Sequence, residues 1–123
     1  MKYLVLIYSN PASRQAWENM AETDRAGGWE AYAALNAELE ASGELIVTEA
    51  LADPSQGRRL PVTEQLAGVT DGPFAEVKEH LAGFFLIECE SMERALEVGA
   101  KVPEAAFGLV EVRPVMDLSG MDM

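Results

Sequence analysis

Gly83-Phe84-Phe85-Leu86-Ile87-Glu88-Cys89-Glu90 reads as a strand with apolar side chains on both faces. Successive strand residues point to opposite sides of a sheet, so Phe84 and Leu86 face one way, Phe85, Ile87 and Cys89 the other. The stretch Lys2-Tyr3-Leu4-Val5-Leu6-Ile7-Tyr8 shares this property, with Tyr3, Val5 and Ile7 set against Leu4, Leu6 and Tyr8. A sheet that keeps one face in water alternates apolar with polar residues. Neither stretch does.

Outward from these strands, local chemistry marks the other elements. Ser9-Asn10-Pro11 ends the first strand and opens a short helix, with Asn10 as its cap, Pro11 at its first position, and Ala16, Trp17 and Met20 as its inward face. Thr23-Asp24 precedes a longer helix. Its stripe is Trp29, Tyr32, Leu35, Asn36 and Leu39, and it stops at Gly43. Gly27-Gly28 weakens its first turn, placing the expected start nearer Trp29. Glu44 to Leu51 reads as a strand and residues 53–57 as a loop. Arg58 to Val62 and Gln65 to Thr70 read as a hairpin about Thr63-Glu64 at one end of the sheet. Ser91 caps a last helix with the stripe Met92, Ala95, Leu96 and Gly99, and Phe107 to Arg113 closes the chain as a strand. Residues 116–123 read as a loosely held tail.

Strand, helix, strand, hairpin, strand, helix, strand is an α+β order. It describes a ferredoxin-like split βαβ sandwich, with an antiparallel sheet and an inserted β-hairpin, in one domain over residues 1–123. Both helices then lie on one sheet face. The second apolar face needs another cover, and a second copy packed sheet to sheet is the commonest one, so a homodimer through the sheet face is expected. A ligand-filled cleft between sheet and helices is the alternative.

Charge and composition narrow the partners. The 123 residues include 21 acidic and 9 basic side chains, a formal net charge of −12. Such a surface repels phosphate backbones and anionic lipid, which argues against nucleic-acid and membrane binding. The apolar run after Met1 is short for a signal peptide or a membrane span, so a cytoplasmic protein is expected. One cysteine, Cys89, excludes an intrachain disulfide and a cysteine metal cluster, and reads as an inert buried thiol.

The run Val69-Thr70-Asp71-Gly72-Pro73-Phe74-Ala75-Glu76-Val77-Lys78-Glu79, followed by Leu81-Ala82-Gly83-Phe84-Phe85-Leu86-Ile87-Glu88, resembles the YCII-related family in its DGPF branch. Residues 1–8, Ala41-Ser42-Gly43-Glu44-Leu45 and Glu111-Val112-Arg113-Pro114 are similar to that family's first strand, its helix-to-strand junction and its closing strand. The resemblance implies a dimeric α+β barrel of two ferredoxin-like subunits. It also implies kinship with small-molecule enzymes of the muconolactone-isomerase-like and dehydrochlorinase-like kinds. Branch members are often encoded beside extracytoplasmic-function sigma factors. A His/Asp pair proposed for YCII-type members does not carry over, because no histidine precedes His80.

Candidate residues gather around the DGPF run. Asp71 can cap its turn or face a ligand, and Phe74 can anchor the loop on the sheet. Lys78 can hold an anionic substrate. Glu79 can act as a general base if burial raises its pKa. Glu76 shares the charged run, and a solvated loop or an intersubunit ion pair is the plainer reading of all three charges. His80, alone of its kind, is either a third acid/base candidate or an ordinary strand-edge residue. Arg58, Arg59 and Arg113 are further anion contacts. A lone histidine makes no zinc site, and the reading calls for neither metal nor organic cofactor. Two functions follow: binding of a small, anionic molecule with isomerase- or lyase-type acid/base chemistry, or a non-catalytic sensor or interaction domain linked to a sigma factor.

Overall fold

The computed structural model describes residues 1–61 and 78–119, together with the backbone of 70–71. β1 (Lys2–Ser9) leads into α1 (Pro11–Asn19), α2 (Glu22–Ser42) and β2 (Leu45–Ala50). A 3-10 turn, Pro54–Gln56, precedes β3 (Arg58–Arg59). β4 (Thr70–Asp71), β5 (His80–Glu88) and α3 (Met92–Ala100) follow; a second 3-10 turn, Pro103–Phe107, then leads to β6 (Val110–Pro114).

The four long strands form an antiparallel sheet in the order β2-β5-β1-β6. β5 thus lies between β1 and β2, and β1 between β5 and β6, so the two βαβ units interleave. This is the ferredoxin-like α+β arrangement. Among the described residues no helix is long and apolar enough to cross a membrane.

Element ends follow local chemistry in most places. Ser13 N–H donates to Asn10 Oδ1 at 2.7 Å and Asn10 N–H to Ser13 Oγ at 2.9 Å, a reciprocal cap before Pro11. Gly43 ends α2 at φ +78°, and Ser91 caps α3 by accepting from the Arg94 N–H.

Four boundaries differ from expectation. α2 begins at Glu22, through Gly27 and Gly28, not near Trp29. The Trp17 ring lies over Gly28 and meets Trp29 edge-on at 5.4 Å, so packing outweighs the weak local propensity. β5 starts at His80 because pairing with β1 continues, through a shift after Ile7, to Ser9 opposite His80. Phe107 belongs to the 3-10 turn, which Gly108 ends at φ +70°, and the last strand begins only at Val110. β3 and β4 pair Arg58 with Asp71 and Arg59 with Thr70 in a two-stranded sheet of their own, so they do not extend the main sheet. The expected turn at Thr63-Glu64 lies outside the described residues, as do residues 120–123 of the tail.

The core lies between one sheet face and the helices. Tyr3, Val5, Ile7, Phe85, Ile87 and Cys89 meet Leu35 and Leu39 of α2, Ala95 and Val98 of α3, and Val102. Tyr32 stacks on Phe85 with centroids 6.4 Å apart. Three expected inward positions are exposed: Ala16, Trp29 at 61% and Leu96 at 53%. In α3 the buried stripe runs Ala95, Val98 and Gly99, and Leu96 sits off it.

On the opposite sheet face Leu6 is buried, Leu4, Phe84 and Leu86 are half-buried, and Val47 is 39% exposed. Charged residues border this strip. Glu49 stands opposite Phe84, Arg113 opposite Leu4, Glu111 opposite Leu6, and Lys2 opposite Glu88.

Candidate functional site

The β1·β6 register places Leu6 opposite Glu111. Tyr8, two residues on, emerges on the same sheet face as a diagonal neighbour of Glu111. Its backbone N–H donates to Leu109 O at 2.8 Å, and its hydroxyl donates to Glu111 Oε1, also at 2.8 Å. The positive φ of Gly108 turns the chain into β6 at this point. Lys78 and Glu79 approach from the bend before β5. Together Tyr8, Lys78, Glu79, Gly108, Val110 and Glu111 line an open cleft of about 530 Å3 at the strand ends.

The electrostatics of this cleft centre on Tyr8. The hydrogen bond to Glu111 raises its phenol above the ordinary value of 10.0, and partial burial and the Glu111 and Glu79 charges add to the rise. Arg113, farther along the same face of β6, pulls the other way. Tyr8 is therefore a neutral hydroxyl whose proton is directed to a carboxylate. A lone pair on its oxygen stays free for a ligand's donor.

The structure brings only part of the expected set together. Lys78 and Glu79 share the cleft, and both are exposed, so the burial that a basic role for Glu79 requires is absent. His80, next in sequence, is the first residue of β5 and pairs with Ser9, and it does not line the cleft. It does not join Glu79. Its neighbourhood is Arg14, which donates to Ser9 Oγ at 3.2 Å, and Asp53. The Asp53 carboxyl is held below its ordinary range by the Ser55 hydroxyl and N–H, with Arg14 and His80 adding smaller effects. Asp71 stands in β4 opposite Arg58, and its side chain lies outside the described residues, as do Phe74 and Glu76. Arg58 and Arg59 belong to β3 and do not line this cleft.

Sequence reading missed Tyr8 and Glu111 as a pair. The available sign was a carboxylate inside the apolar run Leu109-Val110-Glu111-Val112, on a strand paired with β1.

The cleft also lies elsewhere than expected. Among the described residues, strand ends and their flanking segments line it, with no contribution from α1, α2 or α3. A second depression, about 610 Å3, runs between Gly27, Gly28 and Ala31 of α2 and the segment of Ala100 to Pro103 with Ala105 and Ala106. Among the described residues its one charged side chain, Lys101, is tied to Glu38 at 2.6 Å, leaving small apolar residues and little chemistry. Among the described residues no three His, Cys, Asp or Glu side chains converge as a metal site.

Comparison with family models matches residues 1–119 to the YCII-related domain. A search of curated proteins finds no match.

Proposed function

The chain belongs to the YCII-related domain family, and from that premise we propose that it binds a small organic molecule carrying an anionic group in the strand-end cleft and acts on it by acid/base chemistry. The carrying observation is the convergence of a carboxylate-bound hydroxyl, Tyr8 with Glu111, and an ammonium, Lys78, on one concavity. Hydroxyl, carboxylate and ammonium suffice for proton transfer with charge stabilisation and need no organic cofactor. The reading places the chain in the DGPF branch, whose characteristic run ends here with Lys78 and Glu79 at the cleft.

A second copy over the apolar sheet face belongs to the same proposal. Leu4, Leu6, Phe84, Leu86 and Val47 form an apolar centre with a charged border, the composition of a protein interface. Tyr8 and Glu111 emerge on this face, so the copy would roof the cleft and strengthen its electrostatics by excluding water. One observation favours the non-catalytic, sigma-factor-linked reading instead: Lys78 and Glu79 are exposed, as charges at a contact surface are.

The test is thermal stability against a panel of small oxo and hydroxy acids, for wild type, Lys78→Ala, Glu79→Ala and Asp71→Ala. A ligand at 100 times its Kd stabilises by about 2.7 kcal/mol. Lys78→Ala should abolish the shift. A shift that survives both Lys78→Ala and Glu79→Ala places the ligand elsewhere, and no shift with any acid favours the interaction reading.

A further inference from the structure

Building on the ligand cleft proposed above, we infer that Tyr8 and Glu111 form a proton relay and that the ligand is a small oxo acid with an enolisable C–H beside its carbonyl. The geometry sets the direction of the relay. Tyr8 lines the cleft and already donates its proton to Glu111 Oε1 at 2.8 Å, which leaves its oxygen the role of acceptor toward a ligand. Its raised pKa, due first to that hydrogen bond, makes a free phenolate unfavourable, so the proton is passed through and not stored.

Electrons and protons balance along this path. As the substrate C–H bond breaks, its proton moves to Tyr8 Oη while the tyrosine proton moves to Glu111, which becomes the neutral acid. The C–H electron pair becomes the C=C bond of an enolate, and the carbonyl π pair moves onto oxygen. Lys78 lines the same cleft and supplies positive charge to that oxygen. Arg113, on the same strand face as Glu111, is close enough to act on the Tyr8 hydroxyl. Return of the proton to the same carbon gives exchange or racemisation, and return to another atom gives isomerisation. No oxidant or co-reactant takes part.

A surface tyrosine bonded to a glutamate can also be a plain tether between β1 and β6, and the experiment separates the two roles. Pyruvate and 2-oxobutyrate are incubated in D2O with the full-length protein, and loss of the C3 protons is followed by NMR. Binding of the same probes is measured by thermal shift. The relay requires exchange above the buffer rate in proportion to protein. It also requires a fall of at least about 100-fold in Tyr8→Phe and in Glu111→Gln, the scale of positioned proton transfer, with probe binding retained. Exchange at the buffer rate by wild type that binds the probes overturns the relay and leaves the cleft standing. Tyr8→Phe exchanging at the wild-type rate reduces the pair to a tether. Absence of binding by both probes overturns this substrate class, whatever other acids bind.

Discussion

Gly99→Ala sets two opposed effects against each other where α3 packs on β6. Alanine is favoured over glycine in a helix interior by about 1 kcal/mol. Gly99 is the next-to-last residue of α3, so about half of that is available. Against it stands the space. A β-carbon at Gly99 would lie 3.1 Å from Val112 Cγ2, 3.5 Å from Val110 Cγ1 and 3.8 Å from Val5 Cγ1. Carbon pairs prefer about 3.5–4.0 Å. The crowded atoms belong to β-branched side chains with little rotamer freedom, and Val5 is fully buried. Relief therefore has to come from displacement of α3 or β6, and overpacking of this kind costs about 1–3 kcal/mol. The net expectation is a loss of about 0.5–2.5 kcal/mol. In urea denaturation this lowers the midpoint by about 0.25–1.25 M at a slope of about 2 kcal/mol/M. Because Val110 and Val112 flank Glu111, the displaced strand should also weaken ligand binding in the cleft. An unchanged or higher midpoint refutes the close packing of α3 on β6.

Three further outcomes are expected. Glu44 is held below its ordinary pKa of 4.5, by Arg94 first and Ser42 second, and Glu38 likewise by Lys101 first, with Arg94. A carboxyl lowered in the folded state stabilises fully above its unfolded value and loses that contribution as pH falls through the folded one. The urea midpoint should therefore drop below about pH 4.5, and Arg94→Met should flatten that drop; equal acid sensitivity in both proteins refutes the assignment. Cys89, 8% exposed, should react with an aromatic disulfide reagent far more slowly in buffer than in urea, and equal rates would show an open thiol. Sedimentation should give a mass of twice 13.3 kDa for wild type and of one chain for Leu86→Glu, whereas a single-chain wild type removes the second copy over the sheet.

The fold was largely legible because its signs are local. A cap such as Asn10 before Pro11, or a stop such as Gly43, acts within one turn, and both stand where read. Longer-range packing accounts for the misses. Nothing near Gly28 announces that Trp17 will cover it, and nothing in Phe107 shows that Gly108 will hold back the last strand. Lys78 and Glu79 were readable as candidates from their charge and their place just after Gly72-Pro73-Phe74 in the sequence. Tyr8 was not, since within its own strand it is one more large side chain in an apolar run.

From the amino-acid order alone came the α+β class, the succession of elements and the presence of water-averse side chains on both faces of the central strands. Those follow from periodicity and from interactions over a few residues. Tertiary structure decided which polar groups meet. Tyr8 and Glu111 are 103 residues apart and touch only because β1 and β6 pair with Leu6 opposite Glu111. The same pairing starts β5 at His80, opposite Ser9, so His80 joins the sheet while Glu79 stays in the bend that borders the cleft.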